Sequence, residues 1–302
     1  MSKLRVSVVE FLNTAPLVWG FTDGPLEGRY DLSFAVPSRC ADDLRAGRVD
    51  IGVIPAIEYQ RIDNLEILPG MAVAARNEVR SILVVSKRPI DRVRRFALDR
   101  NSRSSIALVR LLCRGLWGID PEFVQAAPDP AAMLAEADAA LLIGDPALRV
   151  RMKVDALASK TPGAGGCCGG RDDEQPVPGV DMLFVYDVAQ QWREMTGRPC
   201  VLAVWAARRG VVTRAVLDDF EASKAYGLAH LEDIAEGAAL KLDLPPRALE
   251  SYLRENIDYS LDDENLAGLD LFYRLAASAK LIPDERPIEF AAAPASIARA
   301  AR

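Results

Sequence analysis

The chain has 302 residues, half of them apolar and 26% charged, which excludes a disordered, collagenous or coiled-coil protein. Its formal net charge of −6 argues against general nucleic-acid binding, and the basic residues are mostly Arg, with seven Lys among 37. The length fits about two domains, and no uninterrupted apolar stretch reaches the roughly 20 residues of a membrane span.

The N-terminal run Lys3 to Phe11 alternates apolar residues with Arg5, Ser7 and Glu10, a strand pattern rather than the continuous apolar core of a secretory signal. A cytoplasmic protein is the expectation. Asn13-Thr14-Ala15-Pro16-Leu17 reads as a helix start, with a polar cap and Pro in the first turn. Val36-Pro37-Ser38 leads into a short helix ended by Gly47. Val49 to Ile54 is a buried strand followed by a helix from Pro55, and Ser81 to Ser86 is another strand.

Arg95 to Asp99 opens a second β/α series, with a helix from Ser102 to Gly115 and a strand from Ala139 that ends in Asp145. The Gly- and Pro-rich stretch at 159–179 breaks the pattern and reads as a surface loop. Met182 to Asp187 is a strand, a helix follows through Trp192, and Cys200 to Ala206 is a further strand. From Val211 the pattern is helical, in the segments Ala215 to Ala238, Pro246 to Glu255 and Asp262 to Lys280. No internal repeat is visible.

Strand–helix alternation predicts an α/β protein with a mostly parallel sheet in each of two lobes. Lobe 1 is expected from residues 1–86 plus 200–302, and lobe 2 from 87–199 with an insertion at 159–179. Two chain crossings would join them, leaving a cleft at the strand ends, where small ligands bind.

Four junctions carry small polar groups. Asn13 ends a strand, where its carboxamide could orient a ligand or cap a helix. Ser102-Arg103-Ser104-Ser105 opens a helix with three hydroxyls, free N–H groups and a guanidinium, which suits a carboxylate or phosphate; the competing reading is a Ser cap beside a solvated Arg. Gly144-Asp145-Pro146 could equally be a helix start, and Asp145 reads as the only carboxylate at a junction. Thr196-Gly197-Arg198-Pro199 is a turn whose composition needs no function. A lone hydroxyl, Ser81, opens the strand that leaves the first lobe.

Other candidates carry less. The loop Gly163 to Gly170 lacks the Lys-Ser/Thr of a phosphate-binding loop. Cys167 and Cys168 have no second ligand pair nearby, and five cysteines without C-x-x-C spacing read as reduced thiols. The basic run Lys87 to Arg95 reads as a solvated face. His230 is the one histidine, which leaves no basis for a His-ligated metal; it reads as a packing residue on a helix.

The ordered set Phe11-Leu12-Asn13 with Pro16-Leu17, Asp50-Ile51-Gly52-Val53-Ile54-Pro55, Ser102-Arg103-Ser104-Ser105, Leu142-Ile143-Gly144-Asp145 and Trp192…Thr196-Gly197…Ala203-Val204-Trp205-Ala206 resembles the chorismate dehydratases of the futalosine route to menaquinone. Ser104 stands where that family usually has Thr, which keeps the hydroxyl.

The resemblance covers nearly the whole chain and implies a two-lobed, type II periplasmic-binding-protein-like fold working in the cytoplasm. It implies a hydro-lyase that turns chorismate into 3-[(1-carboxyvinyl)oxy]benzoate and water without metal or redox cofactor, nucleic acid or membrane. Asn13 and Ser81 would face the reacting side of the ring. Ser102, Arg103, Ser104 and Ser105, with Gly144, Asp145, Thr196 and Gly197, would bind substrate, and the lobes would close on it. The proton would go to Asp145 or to the substrate's own enolpyruvyl carboxylate. Two other readings share the cleft: a carboxylate-binding transport protein, and the sister enzyme 1,4-dihydroxy-6-naphthoate synthase, which would be expected to use a cleft histidine.

Overall fold

The computed structural model describes residues 3–158 and 183–291; the expected insertion at 159–179, with Cys167 and Cys168, lies outside them. The chain forms two compact units, residues 1–76 with 198–302 and residues 77–197.

The first passage through unit 1 runs β1 (Arg5–Val9), α1 (Ala15–Thr22), β2 (Asp31–Ala35), α2 (Pro37–Arg45), β3 (Ile51–Pro55), α3 (Ala56–Tyr59) and β4 (Leu65–Ala75). Proline supplies the first turn of both α1 and α2, where a missing N–H costs nothing. Every residue of β3 is buried, as a central strand requires.

Unit 2 contains β5 (Ile82–Ser86), β6 (Arg95–Asp99), α4 (Arg103–Gly115), β7 (Glu122–Ala126), α5 (Pro130–Glu136), β8 (Ala139–Ile143), α6 (Gly144–Ala158), β9 (Phe184–Asp187) and α7 (Val188–Thr196). Asp129 starts α5 by accepting from the N–H groups of Ala131 and Ala132 at 3.0 and 3.1 Å. α4 buries Leu108, Leu111 and Leu112, each stabilising by about 2 kcal/mol, and keeps Arg114 for its last turn.

The chain returns to unit 1 through β10 (Cys200–Arg208) and ends in α8 (Arg214–Ala229), α9 (Leu231–Leu242), α10 (Pro246–Ser251) and α11 (Asp263–Ser278). α1 and α8 pack at glycine contacts: a Cβ on Gly227 would stand 2.0 Å from the Pro16 carbonyl oxygen, and one on Gly20 2.6 Å from the Ser223 Cα. Residues 289–291 pair with Ile67, at 2.8 and 3.0 Å.

The sheets are mixed rather than mostly parallel. Unit 1 has the order β2-β1-β3-β10-β4 and unit 2 the order β7-β6-β8-β5-β9. In each, four of the five strands point the same way and the other, the first to follow a crossing, runs antiparallel to both its neighbours. A strand of the same unit regains its direction through a helix; a strand arriving from the other unit has no such crossover to set it. The topology thus repeats although the sequence does not.

Two further expectations are corrected. The first crossing falls after Arg76, so Ser81 and β5 belong to unit 2, not lobe 1. Pairing with β8 and β9 decides this, because an all-apolar strand fits either sheet by pattern. The helix expected over Ala215 to Ala238 is two helices divided at His230. The imidazole Nδ1 lies 2.7 Å from the Tyr226 carbonyl and the ring stacks on Tyr226 at 4.0 Å, closing α8 there.

Candidate active site

Unit 2 gathers three of the singled-out places at one end of its sheet. β6 and β8 are parallel neighbours, so the starts of α4 and α6 stand side by side at their carboxyl ends. β5 begins at this same end, antiparallel to β8, and the Ser81 carbonyl accepts from the Gly144 N–H at 2.8 Å. Three adjacent strands place Ser102–Ser105, Gly144–Asp145 and Ser81 across about 10 Å.

The α4 start is polar and enclosed. Ser102, Ser104 and Ser105 are buried, and Arg103 is half-buried. Ser102 is the N-cap residue, yet its side chain makes no cap hydrogen bond, so capping does not account for it. A 13-residue helix directs its first-turn N–H groups and the positive end of its dipole at this place, which favours an anion. Gly144 has φ +63, the left-handed region that favours glycine, and it begins α6 with Asp145, half-buried, in the first turn.

Asn13 stands at the corresponding end of β1 in unit 1. It sits inside a short 3-10 turn, Leu12–Thr14, whose N-cap is Phe11, while the N-cap of α1 is Thr14. Asn13 therefore caps neither helix. It is nearly buried, and the neighbouring Thr14 hydroxyl is committed to the carbonyls of Val9 and, at 2.8 Å, Phe11.

Thr196 and Gly197 are set apart from the others in unit 2. They close α7, the Thr196 hydroxyl donating to the Trp192 carbonyl at 2.7 Å and Gly197 taking the left-handed C-cap at φ +70. Met195 lies against Gly115 at the far end of α4, about 15 Å along that helix from Ser105. The helix ending accounts for both residues.

Asp145 is not the only junction carboxylate. Asp99 ends β6 and Asp187 ends β9, both 2% exposed and both at the same sheet end. Burial pushes the Asp99 carboxyl above its usual range, while the Asn101 N–H, donating to it at 2.9 Å, pulls the other way. Burial likewise raises Asp187 to about 6, against the pull of the Val79, Arg80 and Gln190 N–H groups. The signal in the sequence was a carboxylate closing an apolar strand just before a helix, as in Leu98-Asp99 and Tyr186-Asp187.

Among the described residues, no group of three or more His, Cys, Asp or Glu is placed to hold a metal ion, and no helix is long and apolar enough to cross a membrane.

A family model described as menaquinone biosynthesis matches residues 4–278. The chain belongs to this menaquinone biosynthesis family. It is 29% identical over 249 residues to the chorismate dehydratase of Thermus thermophilus, covering 82% of this chain and 86% of that protein. A crystal structure of a protein from Archaeoglobus fulgidus matches with a TM-score of 0.69 at 20% identity, over 93% of this chain and 98% of that one. The periplasmic aliphatic sulphonate binding protein of Escherichia coli matches with a TM-score of 0.58 at 18% identity, over 93% and 94%. This menaquinone biosynthesis protein thus has a two-unit, periplasmic-binding-protein-like fold.

Proposed function

We propose that this protein dehydrates chorismate to 3-[(1-carboxyvinyl)oxy]benzoate, acting as a hydro-lyase in menaquinone biosynthesis. The observation that carries the reading is the α4 start: a helix N-terminus with three buried hydroxyls, whose N-cap side chain is not used as a cap. Family membership and the Thermus relative support the choice of reaction.

In the proposed reaction the C3 proton and the C4 hydroxyl leave together as water, and the ring becomes aromatic. The ring carboxylate acidifies C3 through the diene, so negative charge builds toward that carboxylate as the proton departs. Oriented N–H and O–H donors at Ser102–Ser105 would hold a carboxylate and stabilise this charge without reorganising. Arg103 would add a charge-assisted contact. Gly144, whose N–H is already given to Ser81, would bring backbone close to the ring.

Asn13 and Ser81 would hydrogen-bond the enolpyruvyl group or the departing hydroxyl. Neither is a base at neutral pH. Asp99 and Asp187 are buried with their carboxylates given to backbone N–H groups, which leaves Asp145 or the substrate's own enolpyruvyl carboxylate, held in place by the protein, as the proton acceptor. Asp145→Asn separates the two: most of kcat retained assigns the proton to the substrate, and loss of about a hundredfold or more assigns it to Asp145.

The deciding experiment incubates the purified protein with chorismate and follows a new aromatic product by absorbance and mass. An aromatic product one water lighter than chorismate supports the reading. Chorismate bound and returned unchanged would overturn it in favour of a binding protein.

A further inference from the structure

The chain enters unit 2 through Glu78-Val79-Arg80, directly before Ser81, and an unusual number of groups hold these three residues. The Val79 N–H faces both carboxylate oxygens of Asp187 at 3.1 Å, and the Arg80 N–H donates to Oδ2 at 2.6 Å. From α6, Asp155 pairs with the Arg80 guanidinium, and Arg151 pairs with Asp155 at 2.9 Å and with Glu78 at 3.4 Å. Arg80 itself has φ +61, a backbone region uncommon for a non-glycine residue.

Asp187 does two jobs with two oxygens. Oδ1 caps α7, accepting from Ala189 and Gln190 at 3.0 and 3.1 Å, Oδ2 accepts from Arg80, and Val79 lies between the two oxygens. A helix cap alone is served as well by Ser or Asn. Accepting on both sides at once requires a carboxylate, since an amide would turn its own N–H groups toward one set of donors.

We infer that Asp187 is a positioning residue: by accepting the Val79 and Arg80 N–H groups it keeps Arg80 left-handed and so fixes Ser81 beside Gly144. Without those bonds Arg80 relaxes to negative φ, and Ser81, the next residue, turns with it. The inference rests on the reading of Ser81 as a residue that touches substrate.

Steady-state kinetics on chorismate test it with Ser81→Ala, Asp187→Asn, Asp187→Ser and the Ser81→Ala/Asp187→Ser pair, each checked for native folding by circular dichroism. Asp187→Ser is the discriminating variant because it keeps an α7 cap and loses the reach to Val79 and Arg80. The expected result is a kcat about ten- to a hundredfold lower for both Asp187 variants, with KM within about twofold, and a pair no slower than Ser81→Ala alone. Asp187→Ser with full kcat would reduce Asp187 to a helix cap. A pair slower by the product of the two single effects would show that Asp187 does not act through Ser81. Full activity in Ser81→Ala would instead overturn the reading of Ser81, and no turnover by the unsubstituted protein would overturn the proposed reaction.

Discussion

The two units lay their strands in one order, yet the residues at the strand ends differ in kind. In unit 1 the helices that follow β2 and β3 start without any side-chain cap, from Val36 and Pro55, and Thr14 turns its hydroxyl back onto backbone carbonyls. In unit 2 the equivalent ends carry three buried serines, a left-handed glycine and two buried carboxylates. Unit 1 also packs α8 against α1 through glycine contacts. The difference teaches that connectivity sets where a ligand can meet the strands, while a few residues at helix starts set what that ligand can be.

The largest expected effect breaks the packing side of this contrast. Gly227→Ala drives a methyl group into the Pro16 carbonyl, which is backbone and cannot swing away. Unfolding stability should fall by about 3 kcal/mol, measured by urea titration. Ser104→Ala with Ser105→Ala probes the chemical side: KM for chorismate should rise at least tenfold or so while the protein still folds. An unchanged KM would sink the assignment of the α4 start.

A smaller effect concerns the buried Asp99 carboxyl. Its folded-state pKa lies above the unfolded value, so the folded protein binds the proton more tightly, and stability falls as pH rises from near 4 to the raised value. Asp99→Asn keeps an acceptor for Asn101 and removes that titration. Its stability should vary less across this window and exceed that of the unsubstituted protein at neutral pH; a parallel pH profile in urea titrations would refute this. The smallest effect is expected at Leu240, 96% exposed on α9: Leu240→Glu should change stability by no more than about 0.5 kcal/mol, as measured by thermal melting.

Local patterns in the chain carried much of this far. Period-two alternation marked β1, a fully apolar run marked β3, and Pro in the first turn marked the starts of α1 and α2. The clustered serines at the start of α4 were legible because three hydroxyls exceed what one cap uses. The break at His230 was not legible, since nothing in Ala229-His230-Leu231 forbids a continuous helix. It arises from the stacking of the imidazole on Tyr226 and its contact with the Tyr226 carbonyl.

The chain by itself settled many of the strands and helices, β2, β4, β7 and α5 excepted, and the polar residues at their junctions, because caps, turns and hydrophobic periods act over a few neighbours. Tertiary structure alone decided which sheet β5 joins, that β5 and β10 run antiparallel, and that Asp187 reaches back to Val79 across more than a hundred residues. An apolar strand satisfies its side chains equally well in either sheet. Its place is settled only by which strands offer their N–H and C=O groups, and that pairing leaves no periodic trace in the chain.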